Sequence, residues 1–267
     1  MTYFGFLIRF LLPPIFILLV IQIWEQRKHK QMPNFRNGRA VWISIAIHIA
    51  LAVIYTTPWD NYLVANHVWF YEPKLVSGLV IGYVPIEEYT FFILESLLAG
   101  LWWWFLSKRV HEAKDFKISD ATRWIFSGIW IFVWIIFVLI FFTGFKSMTY
   151  ISIIFFWALP AIFLQFLFGA DILWHYRRLL MWVILPASLY LSITDSLAIS
   201  SGTWTIDPLQ STRIFIGALP LEEAVFFLVT NILLGFGMTL FLAHESPTRI
   251  AEIKKVFERW FARTPEN

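Results

Sequence analysis

Seven apolar runs of membrane-spanning length fill most of the chain and leave it few other folds. They cover 3–24, 41–58, 75–106 with a break at Pro85, 124–145, 150–168, 179–199, and 214–243 with a break at Pro220. A soluble core has no room for so much apolar material, since 59% of the residues are hydrophobic and 15 are Trp and 28 Phe. The sequence therefore predicts an all-α integral membrane protein with seven transmembrane helices. No basic residue precedes the first run and five Lys or Arg follow it closely, so it reads as a retained span rather than a cleaved signal.

Basic residues divide unevenly between alternate loops. Seventeen of the 21 Lys and Arg fall on one side: Arg27 to Arg39, Lys108 to Arg123, Arg177 and Arg178, and Arg249 to Arg263. The other side holds only Lys74, Lys146 and Arg213, and Arg9 lies within the first span. The positive-inside rule then puts the amino terminus outside and the carboxyl terminus in the cytoplasm of a multi-pass cell-membrane protein. Topology explains the +3 charge, and no nucleic-acid partner is expected. The chain has no cysteine, which removes disulfides, thiolate metal sites and cysteine catalysis. After the last span, Ile250, Ile253, Val256, Phe257, Trp260 and Phe261 recur at helical spacing among Lys and Arg, as in a short helix on the inner leaflet.

Sliding the chain by 135 residues aligns 60–106 with 195–241 without a gap, and twelve of the 47 positions are identical. Apolar composition alone can supply the Leu, Ile and Phe matches. It does not readily supply Asp60/Asp195, Trp69/Trp204, Pro73/Pro208, Pro85/Pro220, Glu87/Glu222 and Glu88/Glu223 in one register. The chain thus divides into a first three-span repeat (1–110), a linking fourth span (111–147), a second three-span repeat (148–244) and a cytoplasmic amphipathic tail (245–267). The linking span makes the two repeats parallel, so both acidic pairs enter the membrane from the outer side.

Proline followed by glutamates in a first turn is an ordinary helix start. Two adjacent glutamates are harder to explain that way, because their side chains leave the helix about 100° apart. The ten residues before each proline are largely apolar, which predicts helix starts sunk below the interface. A buried carboxyl pair favours keeping one proton, and a protonated glutamate is a general acid. Glu88 is followed by Phe91, Phe92 and Glu95 at i+3, i+4 and i+7, and Glu223 by Phe226, Phe227 and Thr230. A proton donor flanked by aromatic faces suits acid-initiated carbocation chemistry on an apolar substrate, with Glu87 or Glu222 available to assist or to take the proton back.

These features, the duplicated Pro-x-Glu-Glu helices in three-span repeats joined by an extra span, resemble the integral-membrane lycopene β-cyclases. That family occurs as small heterodimeric subunits in some bacteria and as fused two-copy proteins in other bacteria, archaea and fungi. The resemblance covers roughly 1–243. It implies an isomerase that protonates each ψ end of lycopene, closes the ring through a carbocation and loses a proton, giving γ- and β-carotene with no net redox change. Family members also cyclise C50 carotenoids or form other ring isomers. The candidate residues are Glu88, Glu223, Glu87 and Glu222 for catalysis and Phe91, Phe92, Phe226 and Phe227 against the substrate. Asp60, Asp195 and Glu95 stand as supporting groups, the two aspartates either tuning the acids or capping loops. No cofactor or metal is expected. The partners are a lipophilic carotenoid, the bilayer and, as an option, a second copy of the chain in a homo-oligomer.

Other classes fit less well. A retinal protein needs a lysine within the last span, which has none. Intramembrane prenyl-protein proteases pair Glu-Glu with an Arg where Phe92 and Phe227 stand, and with histidines, whereas His48 is the one histidine deep in a span and reads as a buried hydrogen-bonded residue. A proton-coupled transporter remains the alternative from a different class, because membrane carboxylates also relay protons. Trp69 and Trp204 read as outer interface anchors, and Trp102 to Trp104 as the inner aromatic belt.

Overall fold

The computed structural model describes residues 1–110 and 116–261, apart from the side chains of 256, 257 and 259–261. Lys114 and Arg263, counted above, and the apolar side chains of Val256, Phe257, Trp260 and Phe261 fall outside that description. Seven described helices are long and apolar enough to cross a membrane: α1 (Tyr3–Arg27), α2 (Gly38–Ala65), α3 (Ile86–Ser107), α4 (Asp120–Phe142), α5 (Lys146–His175), α6 (Arg177–Ser200) and α7 (Leu221–Leu242). A shorter helix, α8 (Ser246–Phe261), follows and carries exposed Ile250.

Local chemistry sets the irregularities. Pro13 and Pro14 lack the N–H groups that would bond back one turn, and a π-helical turn at Leu7–Leu11 precedes them in α1. Asn37 caps α2 and Ser119 caps α4, each accepting from a first-turn backbone N–H.

The two stretches before the acidic helices differ from expectation. The apolar run 75–106 predicts one interrupted span, but β2 (Val80–Ile81) and β3 (Val84–Pro85) form an antiparallel hairpin, so the span begins only at Ile86. The same hairpin recurs as β5 (Phe215–Ile216) and β6 (Leu219–Pro220). Each two-residue turn opens on a glycine with positive φ, Gly82 at 69° and Gly217 at 66°, which explains the repeated glycine. Apolar Leu79, Tyr83, Phe215 and Ile216 are exposed on these hairpins.

A third strand pair lies between the halves. β1 (Trp69–Tyr71) runs antiparallel to β4 (Trp204–Ile206), and the central partners Phe70 and Thr205 occupy equivalent repeat positions. About two turns further along α3 and α7, Glu95 and Thr230, again 135 residues apart, bond at 3.1 Å. Gly100 and Gly235 let neighbouring helices approach closely, since a Cβ on Gly100 would lie 2.6 Å from Ile45 and one on Gly235 3.3 Å from Ile184. Helix α4 packs along α5, Phe137 against Phe155 at 4.2 Å and Trp134 Nε1 bonded to the Phe156 carbonyl, with only Ser127 buried along its length.

At the end of the bundle away from the hairpins, buried Glu25 pairs with Lys30 at 3.2 Å, with Lys108 at 3.1 Å and with Arg109. Arg249 of α8 bonds Asp171 at 2.6 Å, fastening the tail to α5. The tryptophan belt read from the sequence is corrected here. Trp103 and Trp104 are core residues, 0% and 1% exposed, with Trp103 Nε1 bonded to Thr239, and only Trp102 is partly exposed.

Candidate active site

The prolines fix where the acidic helices start. Pro85 and Pro220 are extended, at φ −66°, ψ 150° and φ −61°, ψ 144°, and each sits at the N-cap where a missing N–H costs nothing. The glutamate pair then occupies the second and third helical positions, and its members point to different places.

Glu87 and Glu222 turn outward to the hairpin stems. Glu87 accepts from the Ser77 backbone N–H at 2.5 Å, and Glu222 accepts from that of Thr212, the equivalent residue. Both glutamates are fully buried. Each therefore ties its hairpin onto its helix.

Glu88 and Glu223 turn inward. Tyr3 donates to Glu88 at 2.5 Å and Tyr71 at 2.9 Å, while Tyr150 donates to Glu223 at 2.6 Å. Burial first, and then the nearby Glu88 charge, hold the Tyr71 hydroxyl well above the usual tyrosine range, so it remains a donor. Glu88 and Glu223 line one small cavity of about 30 Å³, together with Phe91, Phe226 and Phe227. The two acidic copies thus meet in one chamber.

Trp69 and Trp204 also line this chamber, which corrects their reading as interface anchors. The β1 and β4 pairing carries them inward, Trp204 tilted against Tyr3 at 4.8 Å between ring centres and Trp69 edge-on to Tyr150 at 5.3 Å. Asp195 lines the chamber as well and accepts from Trp204 Nε1 at 3.0 Å. Its counterpart Asp60 is fully buried, and among the described residues neither carboxyl oxygen has a hydrogen-bond partner. Neither aspartate ends its helix, since α2 and α6 continue for five residues beyond each.

Of the four phenylalanines, Phe91 and Phe227 meet across the halves at 6.2 Å. Phe92 lies outside the chamber and lines a neighbouring cavity together with Phe226, Glu95 and His48. His48 is partly buried and bonds the Ser44 carbonyl at 2.7 Å.

The tyrosines are the residues that sequence reasoning missed. Tyr3 and Tyr150 each open the first span of a repeat, and their backbone N–H groups bond Leu75 and Gln210, which are equivalent positions. The signal was present at an offset of 147, where Leu12/Leu159, Pro13/Pro160, Ile15/Ile162 and Phe16/Phe163 also match. A slide of 135 hides it, because the connections between first and second spans differ in length.

An aromatic chamber with room for about two waters, holding two tyrosine-bonded carboxyls, can deliver a proton to an apolar group and shield the cation that results. Comparison with known proteins bears on which group that is. A lycopene β-cyclase of Halobacterium salinarum is 37% identical over 77% of this chain and 84% of its own length. The chain belongs to the lycopene β-cyclase family. Bifunctional lycopene cyclase/phytoene synthases of Aspergillus niger and Gibberella fujikuroi are 31% and 35% identical over 73% and 71% of the chain. This chain corresponds to about a third of each of those fungal proteins. No protein-family model and no solved structure matches it.

Proposed function

We propose that this protein is a lycopene β-cyclase, an isomerase that closes the ψ ends of lycopene into β rings at the chamber shared by Glu88 and Glu223. The observation that carries this reading is the meeting of both inward glutamates, each bonded to a tyrosine, in one aromatic chamber of a chain from this family.

The reaction needs an acid, a dry cation-tolerant space and a base. One of the two glutamates, protonated, donates to the terminal double bond and leaves a tertiary cation. The next double bond along the chain attacks it, the ring bond forms, and the cation moves to a ring carbon. Loss of the adjacent ring proton to the other glutamate gives the β-ring double bond, and no electrons are gained or lost. Proton transfer from a positioned group contributes about 10²–10⁴-fold. Faces of Phe91, Phe226, Phe227, Trp69 and Trp204 line the space in which the cation forms. Tyr3, Tyr71 and Tyr150 orient the carboxyls, and Glu87 and Glu222 hold the hairpins that set the helix starts.

With one chamber, the two ends of lycopene react in turn, through γ-carotene. The halves are parallel repeats related by a two-fold axis along the membrane normal. The direct meeting of equivalent residues, Phe70 with Thr205 and Glu95 with Thr230, supports this. In the orientation given by the positive-inside rule, the chamber lies toward the outer face and the Glu25 cluster toward the cytoplasm. Expression in lycopene-accumulating cells tests the reading. Pigment turning from red to orange-yellow, with β-carotene in the extract, is expected, and unchanged lycopene beside well-expressed protein contradicts it.

A further inference from the structure

The chamber of about 30 Å³ holds waters but not a carotenoid end, so the substrate needs adjoining space. A second cavity of about 290 Å³ lies alongside and shares Phe226 with it. It is bounded by α2, α3, α5 and α7. Leu51 of α2 and Leu164 of α5 line its mouth and are largely exposed on the membrane-facing surface.

Aromatic rings wall the cavity on the side of the chamber. Tyr55 and Trp157 strap α2 to α5 with bonds in both directions, Tyr55 Oη to the Trp157 carbonyl at 2.8 Å and Trp157 Nε1 to the Tyr55 carbonyl at 3.0 Å. Trp157 packs on Trp59 at 5.0 Å, and Trp59 on Phe226 at 5.8 Å, so the wall runs unbroken to the chamber. The polar residues of the lining are largely bonded among themselves or to backbone. Glu95 accepts from Thr230, Gln165 donates to the Leu233 carbonyl at 2.9 Å, and His48 bonds the Ser44 carbonyl.

The opposite flank is built differently. Tyr190, equivalent to Tyr55, donates to the Phe10 carbonyl at 2.6 Å, but Phe10 has no ring N–H to return a bond. The duplication has therefore produced a reciprocal aromatic strap on one flank only.

We infer that the cavity between α2 and α5 holds the polyene chain of a linear carotenoid, which slides in sideways from the bilayer with its end group directed past Phe226 to the glutamates. The inference rests on the cyclase reading above and adds where the rest of the substrate lies. Continuity with the acid chamber favours a polyene over a lipid acyl chain, since an acyl chain has no reactive end to bring there. A flat conjugated rod also matches aromatic walls at Tyr55, Trp157, Phe92 and Phe226.

Two substitutions test this in lycopene-accumulating cells. Ala161→Trp puts an indole into the cavity, and Leu164→Trp narrows its exposed mouth with little burden on folding. Leu189→Trp, on the exposed face of α6, is the control. Pigment copurifying with Ala161→Trp is expected to fall about tenfold or more, with ring formation falling alongside, while the control matches wild type. Leu164→Trp is expected to raise KM severalfold with kcat retained, and it decides the matter if Ala161→Trp fails to accumulate. Wild-type pigment binding and KM in the cavity variants overturn the inference. Wild-type protein that forms no rings overturns the cyclase reading instead, so the two failures are distinct.

Discussion

The two acidic helices start identically and end in different company. Glu88 takes two tyrosine hydroxyls, from Tyr3 and Tyr71, whereas Glu223 takes one, from Tyr150. Beside Glu223, Asp195 is held by Trp204, and the matching Asp60 carboxyl has no hydrogen-bond partner among the described residues. Glu95 stands in one half where Thr230 stands in the other, and the two bond to each other. The hairpins recur, down to both glycine turns and both outward glutamates. The inward groups do not, and two equivalent carboxyls in unequal settings are suited to opposite roles, one giving a proton and one receiving it.

Replacing both inward acids is the largest test of that comparison. Glu88→Gln with Glu223→Gln keeps shape but leaves no carboxyl in either inward position, and ring formation is expected to drop by about 10⁴-fold or more while the protein still inserts. Carotenoid extracts normalised to membrane-bound protein measure this. The tyrosines come next. Tyr150→Phe strips Glu223 of its sole tyrosine and should slow turnover by about tenfold, the scale of one hydrogen bond to a charged group. Tyr3→Phe should cost less, because Tyr71 remains on Glu88, and the Tyr3→Phe, Tyr71→Phe pair should match Tyr150→Phe. Steady-state rates in micelles compare them.

The smallest effects concern the aspartates and are read as stability. Asp195→Leu strands the Trp204 N–H and should cost about 1–3 kcal/mol. Asp60→Leu strands nothing and removes an unpartnered buried carboxyl, so its melting temperature should equal or exceed that of wild type. Thermal unfolding of both proteins in one detergent makes the comparison direct.

These contrasts also mark what the sequence could reveal. Seven spans, the 135-residue repeat and the pairing of Pro with Glu-Glu were legible because each is a local pattern: apolar length, identity at fixed offset, helix-start chemistry. That Glu87 and Glu88 diverge followed from helical geometry, but which one faces the chamber depends on a hairpin that apolar residues disguised as span. Tyr71 reaches Glu88 only because β1 pairs with β4 across 135 residues, and no local pattern announces such a pairing. Trp69 and Trp103 look like interface residues in sequence because their partners Tyr150 and Thr239 come from the other half of the chain, and Trp104 because Trp42 of another helix covers it.

The central claim is that the duplicated acids form one site. Product distribution in the single variants tests it most directly, with lycopene, γ-carotene and β-carotene quantified after Glu88→Gln and after Glu223→Gln. One shared site predicts that either substitution blocks both rings, leaving lycopene without a build-up of γ-carotene. Accumulation of γ-carotene in either variant, one ring closed and the other open, would mean two independent sites and would contradict the account.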